Sequence, residues 1–440
     1  MSFSQFLAAL FEALDAAGVR FCILRNYEGF PASNTGNDID LLIHPSELPH
    51  AIRALRSIQG IRFVGYTERP FVASVFVEGI ITSRGSRSLQ VDFDLGLSWK
   101  GLPYLSTEEV LQDAVPRHAG TLSFFTPSPV HEAIISLFSS LLVGGWLKEK
   151  YLPQVQQRFV GDRSEAIVAL LPQFGIKAAK HLVDSVICND RPMILGCIKP
   201  LRFSLALRSL RHHPVRSFLA VVRHYAGVFA FRYSPQALET VCVFGLDGCE
   251  MINNLLPLLH SAAVVVEKRH IGQWQLFGSK LGKTASSADS RTVAPSGAMA
   301  SITNVILRLA DEWLSQFKEK KNLTLCICDD SCHDLLIEPK KYGYDGPMWF
   351  ARLVGKLFPS PDLWILLDPF GGGLQFRSGE VPSAETLRQL EACWAFVKTR
   401  KKFVILDASK PVATVTEEAY AAVIEILAER TDRRLRRRFQ

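Results

Sequence analysis

Asp38 and Asp40 stand two residues apart in the run Gly36-Asn37-Asp38-Ile39-Asp40-Leu41-Leu42-Ile43, and Asp92 and Asp94 repeat that spacing in Val91-Asp92-Phe93-Asp94. On a strand, residues two apart point to one face, so each pair is expected to present both carboxylates together. Like charges held side by side repel, and a divalent cation is the usual reason to keep them so. Magnesium, bound by carboxylates and by substrate phosphates, is the expected ion, with manganese as its substitute. Held there, it would activate an attacking oxygen and neutralise a triphosphate during in-line transfer. A single pair could equally be solvated or cap the next turn. Two pairs shift the balance toward a metal.

A second candidate lies in Val241-Cys242-Val243-Phe244-Gly245-Leu246-Asp247-Gly248, an apolar strand running into a glycine turn. That is how a phosphate-binding loop begins. A working loop reads G-x-x-x-x-G-K-[ST], in which backbone amides cradle phosphate, the Lys reaches the β/γ-phosphates and the hydroxyl holds magnesium. Counted from Gly245, the last three positions are Glu250, Met251 and Ile252. The second glycine, the Lys and the hydroxyl are all replaced, and Glu250 puts negative charge where a phosphate would lie. Cys326, Cys328, Cys332 and His333 are metal-ligand types as well, but the first two fall in an apolar run where alternate strand spacing explains them without zinc.

The elements expected to position these residues alternate between helix and strand. Phe3–Ala17 has helical spacing and stops at Gly18. Strands are predicted at Val19–Leu24, Asp38–Ile43, Ile61–Val64, Val72–Val77 and Leu89–Leu95, with a helix over Pro45–Ser57. This makes a small α/β domain over residues 1–129. Residues 130–235 are helical in pattern and basic in their second part, Lys199–Arg232, and are expected to form a connector. Short continuous apolar runs at Thr240–Phe244, Ala262–Val266, Leu323–Ile327, Leu363–Leu367 and Phe403–Leu406 then alternate with helices, which predicts a parallel sheet covered on both faces over residues 236–430. Residues 431–440 form a basic tail, Arg433–Arg438, expected to be the solvated end of the last helix.

Composition bounds the rest. A chain of 440 residues with 48% hydrophobic content, 28 Phe and 7 Trp has ample material for more than one core. Its nine cysteines are scattered, as in a reducing compartment. The opening Ser2-Phe3-Ser4 has no basic leader, and no run is expected to reach the ~18–20 apolar residues of a spanning helix. The expectation is a cytoplasmic protein. The net charge of +7 is concentrated in Lys199–Arg232 and the tail, which points to peripheral contact with the anionic inner face of a membrane rather than to nucleic acid.

Several blocks resemble known families. Arg25-Asn26-Tyr27, the Asp38–Ile43 run, Val91–Asp94 and Trp99-Lys100-Gly101 resemble small nucleotidyltransferases of the polymerase-beta-like fold, in the branch linked to surface-polysaccharide clusters. The resemblance implies Asp38, Asp40 and Asp92 as metal ligands and catalytic carboxylates, with Asp94 competing for the third place. It also implies a nucleoside triphosphate as donor and a sugar or glycolipid as acceptor. The family's usual Gly-Ser pair is replaced by Arg25-Asn26-Tyr27. Downstream, the strand–Gly245 turn, Asp329 with Pro339-Lys340-Lys341-Tyr342, Pro361–Asp368, Arg377 with Gly379-Glu380-Val381-Pro382, and Val404–Ser409 resemble thymidylate-kinase-like P-loop domains. Gly245, Gly248 and Arg377 are by that resemblance the residual nucleotide-binding positions. Asp330 and Ser378 stand where an Arg and a Lys are expected, so the domain reads as one retained for shape rather than phosphate transfer. Two other functions stay open: a non-catalytic nucleotide-binding or scaffold protein, and an atypical nucleotide kinase.

Overall fold

The computed structural model describes residues 1–33, 38–82, 87–233, 239–244, 248–260, 265–269, 297–319, 324–328, 334–337, 339, 344–358, 360–369 and 384–439. They form two compact units, one of Met1–Phe231 with Thr431–Gln440 and one of Arg232–Arg430.

The first unit opens with α1 (Phe3–Ala16), started by a Ser2–Gln5 capping box. Its buried residues Phe3, Phe6, Leu7, Leu10, Phe11 and Leu14 follow the helical period and cover one face of a mixed sheet. That sheet contains β1 (Phe21–Ile23), β2 (Asp38–Ile43), β3 (Arg62–Arg69), β4 (Val72–Glu78) and β5 (Ser88–Asp94), in the order β1-β2-β5-β4-β3. Only the central β2–β5 pair is parallel. Ile39, Leu41 and Ile43 of β2, with Val91 and Phe93 of β5, pack on α1 and on α2 (Leu48–Ser57). Leu42 belongs to a different core, on the opposite face.

Helices make most of that second core. Beyond the short pair β6 (Ser98–Trp99) and β7 (Leu102–Pro103) come α3 (Thr107–Gln112) and a hairpin of β8 (Val115–Ala119) with β9 (Leu122–Thr126). Then follow α4 (Pro129–Phe138), α5 (Leu152–Gly161), α6 (Arg163–Ile187), α7 (Arg191–Gly196), α8 (Ile198–His212) and α9 (Pro214–Tyr233). One continuous cluster runs from Cys22, Leu24 and Leu42 through Phe138, Phe159 and Leu182 to Leu205. The boundary expected near residue 129 therefore separates no cores: the helical segment is the second half of the first unit, not a free connector. Among the described residues α6 alone is long and apolar enough to cross a membrane, a length the sequence was not expected to reach. Gly175, at φ +77°, breaks it, and Leu170, Phe174, Leu182 and Val183 bury into the cluster.

The second unit carries β10 (Glu239–Phe244), α10 (Gly248–His260), β11 (Val265–Arg269), α11 (Ala298–Glu319), β12 (Thr324–Cys328), α12 (Asp334–Ile337), α13 (Met348–Gly355), β13 (Leu363–Asp368), α14 (Ala384–Lys398), β14 (Phe403–Asp407) and α15 (Val412–Phe439). The sheet order is β11-β12-β10-β13-β14 and every neighbouring pair is parallel. Each residue of β13 is buried, as a strand covered on both faces requires. The chain is thus α/β, with one mixed and one parallel sheet.

The last turns of α15 return to the first unit. Leu435 is fully buried among the α1 and α2 residues, Phe439 meets the Tyr66 ring, and Arg438 donates to both oxygens of Glu68 at 2.9 Å. The basic tail is docked rather than a solvated end.

Candidate metal centre

Register decides which acids meet. In the parallel β2–β5 pair Asp40 lies beside Asp92, Asp38 beside Gln90 and Leu42 beside Asp94. The alternate residues of both strands face α1 and α2, so Asp38, Asp40, Asp92 and Asp94 share the opposite face. One carboxylate oxygen from each of Asp38, Asp40 and Asp92 can be chosen so that all three lie within 4.8 Å of one another. Asp94 is one step farther along the strand and is outside that group.

Asp40 is 2% exposed and Asp92 is 7%. Isolated carboxylates so placed would be costly, and each has a partner. Arg25, just past the end of β1, forks onto Asp40, with Nε donating to Oδ2 at 2.6 Å and Nη2 to Oδ1 at 3.0 Å. Gln90 donates Nε2 to both oxygens of Asp92, at 2.8 and 3.0 Å. Burial pushes the Asp38 carboxyl above the usual range; Asp40 and Asp92 push the same way and Arg25 opposes. Burial raises Asp92 too, against hydrogen bonds from Ser74 and Gln90. Asp94 is raised well above its ordinary value by burial, then by Asp40 and Asp92. Burial alone would lower Arg25, but its bond to Asp40 outweighs that and holds the guanidinium charged.

This donor set fits a hard cation. All three groups offer oxygen, and burial disfavours the charged forms of Asp38 and Asp92, which a divalent ion would reverse. The Arg25 fork takes one lone pair on each Asp40 oxygen, and a second remains on each. Arg25 and Gln90 were not expected as members of the site. Gln90 was legible, being two residues before Asp92 on the same strand; Arg25 is 15 residues from Asp40 and meets it only through the antiparallel β1–β2 pairing.

Elsewhere in the unit, Lys100 and Gly101 meet α9 at Tyr225 and Ala220. Lys100 Nζ lies 5.1 Å from the Trp99 ring centroid and 5.7 Å from that of Tyr225, and Arg202 covers Trp99 at 5.3 Å. Gly101 has φ +89°, and a Cβ there would fall 2.4 Å from the Ala220 carbonyl oxygen, so only glycine admits α9 this closely.

The second unit has no equivalent group among the described residues. Gly245 and Arg377 lie outside them, as do Asp329, Asp330, Lys340, Lys341, Ser378 and, of the cysteine cluster, Cys332 and His333. Gly248 is the first residue of α10. Met251 and Ile252, which motif spacing alone sets against a phosphate loop's Lys and hydroxyl, are 3% and 0% exposed and form part of the core. Cys326 and Cys328 are buried on β12 with sulfurs 3.7 Å apart, among Cys242, Trp364 and Leu366.

No protein-family model matches this chain, and no curated protein is significantly similar to it.

Proposed function

We propose that the first unit is a divalent-metal-dependent nucleotidyltransferase acting at Asp38, Asp40 and Asp92. The observation that carries this is the convergence of the three carboxylates, from two neighbouring strands, within 4.8 Å. Asp38, Asp40 and Asp92 would hold Mg2+ or Mn2+, which would supply charge neutralisation for a nucleoside triphosphate and activation of the attacking oxygen. The chain's own residues hold the site ready. Gln90 fixes the Asp92 rotamer, while Arg25 fixes Asp40 and balances its charge before a cation arrives. The resemblance to polysaccharide-linked nucleotidyltransferases supports a sugar or lipid-linked glycan as acceptor. Burial of Met251 and Ile252 supports a second unit that does not transfer phosphate, since neither side chain can stabilise a transferring phosphoryl group.

The Arg25 fork also favours a second reading, a nucleotide-binding or scaffold protein in which Arg25 stands in permanently for the metal. A melting-temperature screen with each nucleoside triphosphate, with and without Mg2+ or Mn2+, separates the two. At 100 times Kd, preferential binding to the folded state adds about 2.7 kcal/mol. The enzyme reading expects a metal-dependent shift that Asp38→Asn with Asp40→Asn abolishes, each protein being compared with its own unliganded melting temperature because loss of the Arg25–Asp40 pair lowers that of the double variant. A shift that needs no metal and survives the double substitution would support the scaffold instead.

A further inference from the structure

Helix α9 is built inside out. Apart from Val221, which packs on the core, the residues it turns toward the rest of the first unit are small or polar: Ser217 is buried and donates to the Ser209 carbonyl at 2.8 Å, Ala220 abuts Gly101, and His224 stacks on Phe71. Gly227 lies so close to Pro70 that a Cβ would come within 2.8 Å of Cγ. Its apolar stripe, Val215, Phe218, Leu219, Val222, Tyr225 and Phe229, recurs at helical spacing on the outside. Val215 is 71% exposed, and Phe218 and Phe229 are each 63% exposed. On α8, Leu201 and Leu205 bury into the core, whereas Phe203, Leu207 and Leu210 form a second exposed stripe. Soluble surfaces scatter single apolar residues, but exposed apolar stripes on two consecutive helices mark an interaction face.

Charge identifies the occupant. From Ile198 to Tyr233 the chain has seven Lys or Arg and no Asp or Glu. Arg202 and Arg208 are used internally, donating to the Leu142 and Pro172 carbonyls. Lys199, Arg211, Arg216 and Arg223 are exposed. Arg216 and Arg223 each follow a stripe residue by one position, which sets them along one flank of the apolar face. Aliphatic and aromatic side chains facing outward, bordered by cations with no acid among them, match the boundary between anionic headgroups and acyl chains. A nucleic acid would satisfy the cations but leave Val215, Leu219 and Val222 in water. The docked tail takes no part, because Arg436 and Arg438 are already paired with Asp432 and Glu68.

We propose that α8 and α9 form a peripheral membrane-docking face that lies in the surface of an anionic bilayer. The test is flotation of the full chain with phosphatidylcholine vesicles, alone or with about a third phosphatidylglycerol, at low and high salt. The wild type is expected to float with the anionic vesicles and to lose that binding as salt rises. Phe203→Ser with Phe218→Ser, and separately Arg216→Gln with Arg223→Gln, should each reduce the bound fraction about tenfold. Both variants alter exposed side chains, so their melting temperatures should stay near that of the wild type. Equal binding to neutral and anionic vesicles would overturn the proposal, and so would undiminished binding of the Phe variant. Two further outcomes would also overturn it: a dimer that the Phe substitutions dissociate, and nucleic-acid binding that anionic vesicles do not compete away.

Discussion

Each oxygen of Asp40 already accepts a bond from Arg25, so the centre needs no cation to survive folding. A buried group without such a partner is sensitive to pH. His131 on α4 is 9% exposed, and its Nδ1 is 4.0 Å from Asp113, too far for a hydrogen bond. Burial lowers its pKa below the ordinary 6.5, with Asp113, Glu109 and Glu165 opposing. The folded state therefore takes up the imidazole proton less readily than the unfolded chain. Its contribution to stability is complete above the unfolded value and is lost as pH falls through the folded one. Denaturant unfolding followed from about pH 7 to about pH 5 should show wild-type stability falling more steeply than that of His131→Gln, which cannot take up the proton. Parallel curves would mean that His131 titrates alike in both states.

Among the elements, strands β2 and β5 were legible because polar and apolar residues alternate along β5 and through the first half of β2, and alternation fixes which face each residue takes. Their mutual register was not legible, and it is register that puts Asp92 rather than Asp94 beside Asp40. The β8–β9 hairpin escaped notice because Pro116, Arg117 and His118 lead into Gly120, a composition that reads as loop. In α9 the amphipathic pattern was visible, but sequence alone cannot say that its apolar side faces outward. The end of α15 misled for a different reason. Its arginines suggest solvent, while the two residues that anchor it, Leu435 and Phe439, are four apart and outnumbered. Leu435→Ala should cost about 2–5 kcal/mol in unfolding of the first unit, by loss of packing and a residual cavity. Arg436→Ala, which breaks only an exposed pair with Asp432, should cost less than about 1 kcal/mol. Equal costs would place the tail outside the core.

For the whole molecule, two α/β units each carry one candidate for nucleotide chemistry, and only one of them has its donors assembled among the described residues. In the first, three carboxylates converge. In the second, Met251 and Ile252 are buried in the core. The parallel sheet of the second unit was legible from its continuous apolar runs, and the altered loop positions from motif spacing. That the helical segment shares a core with the first unit was not, because long-range packing leaves no local signature.

On the proposed reading, metal-bound nucleotide is held by the acids of the first unit. Electron paramagnetic resonance of Mn2+, titrated with the full chain in the presence of each nucleoside triphosphate, reports free against bound ion directly. The wild type should quench the free signal saturably with at least one triphosphate beyond what that nucleotide does alone, and Asp38→Asn with Asp40→Asn should restore the protein-free curve. A double variant that binds Mn2+ and nucleotide as the wild type does, or a wild type that binds neither, would contradict it.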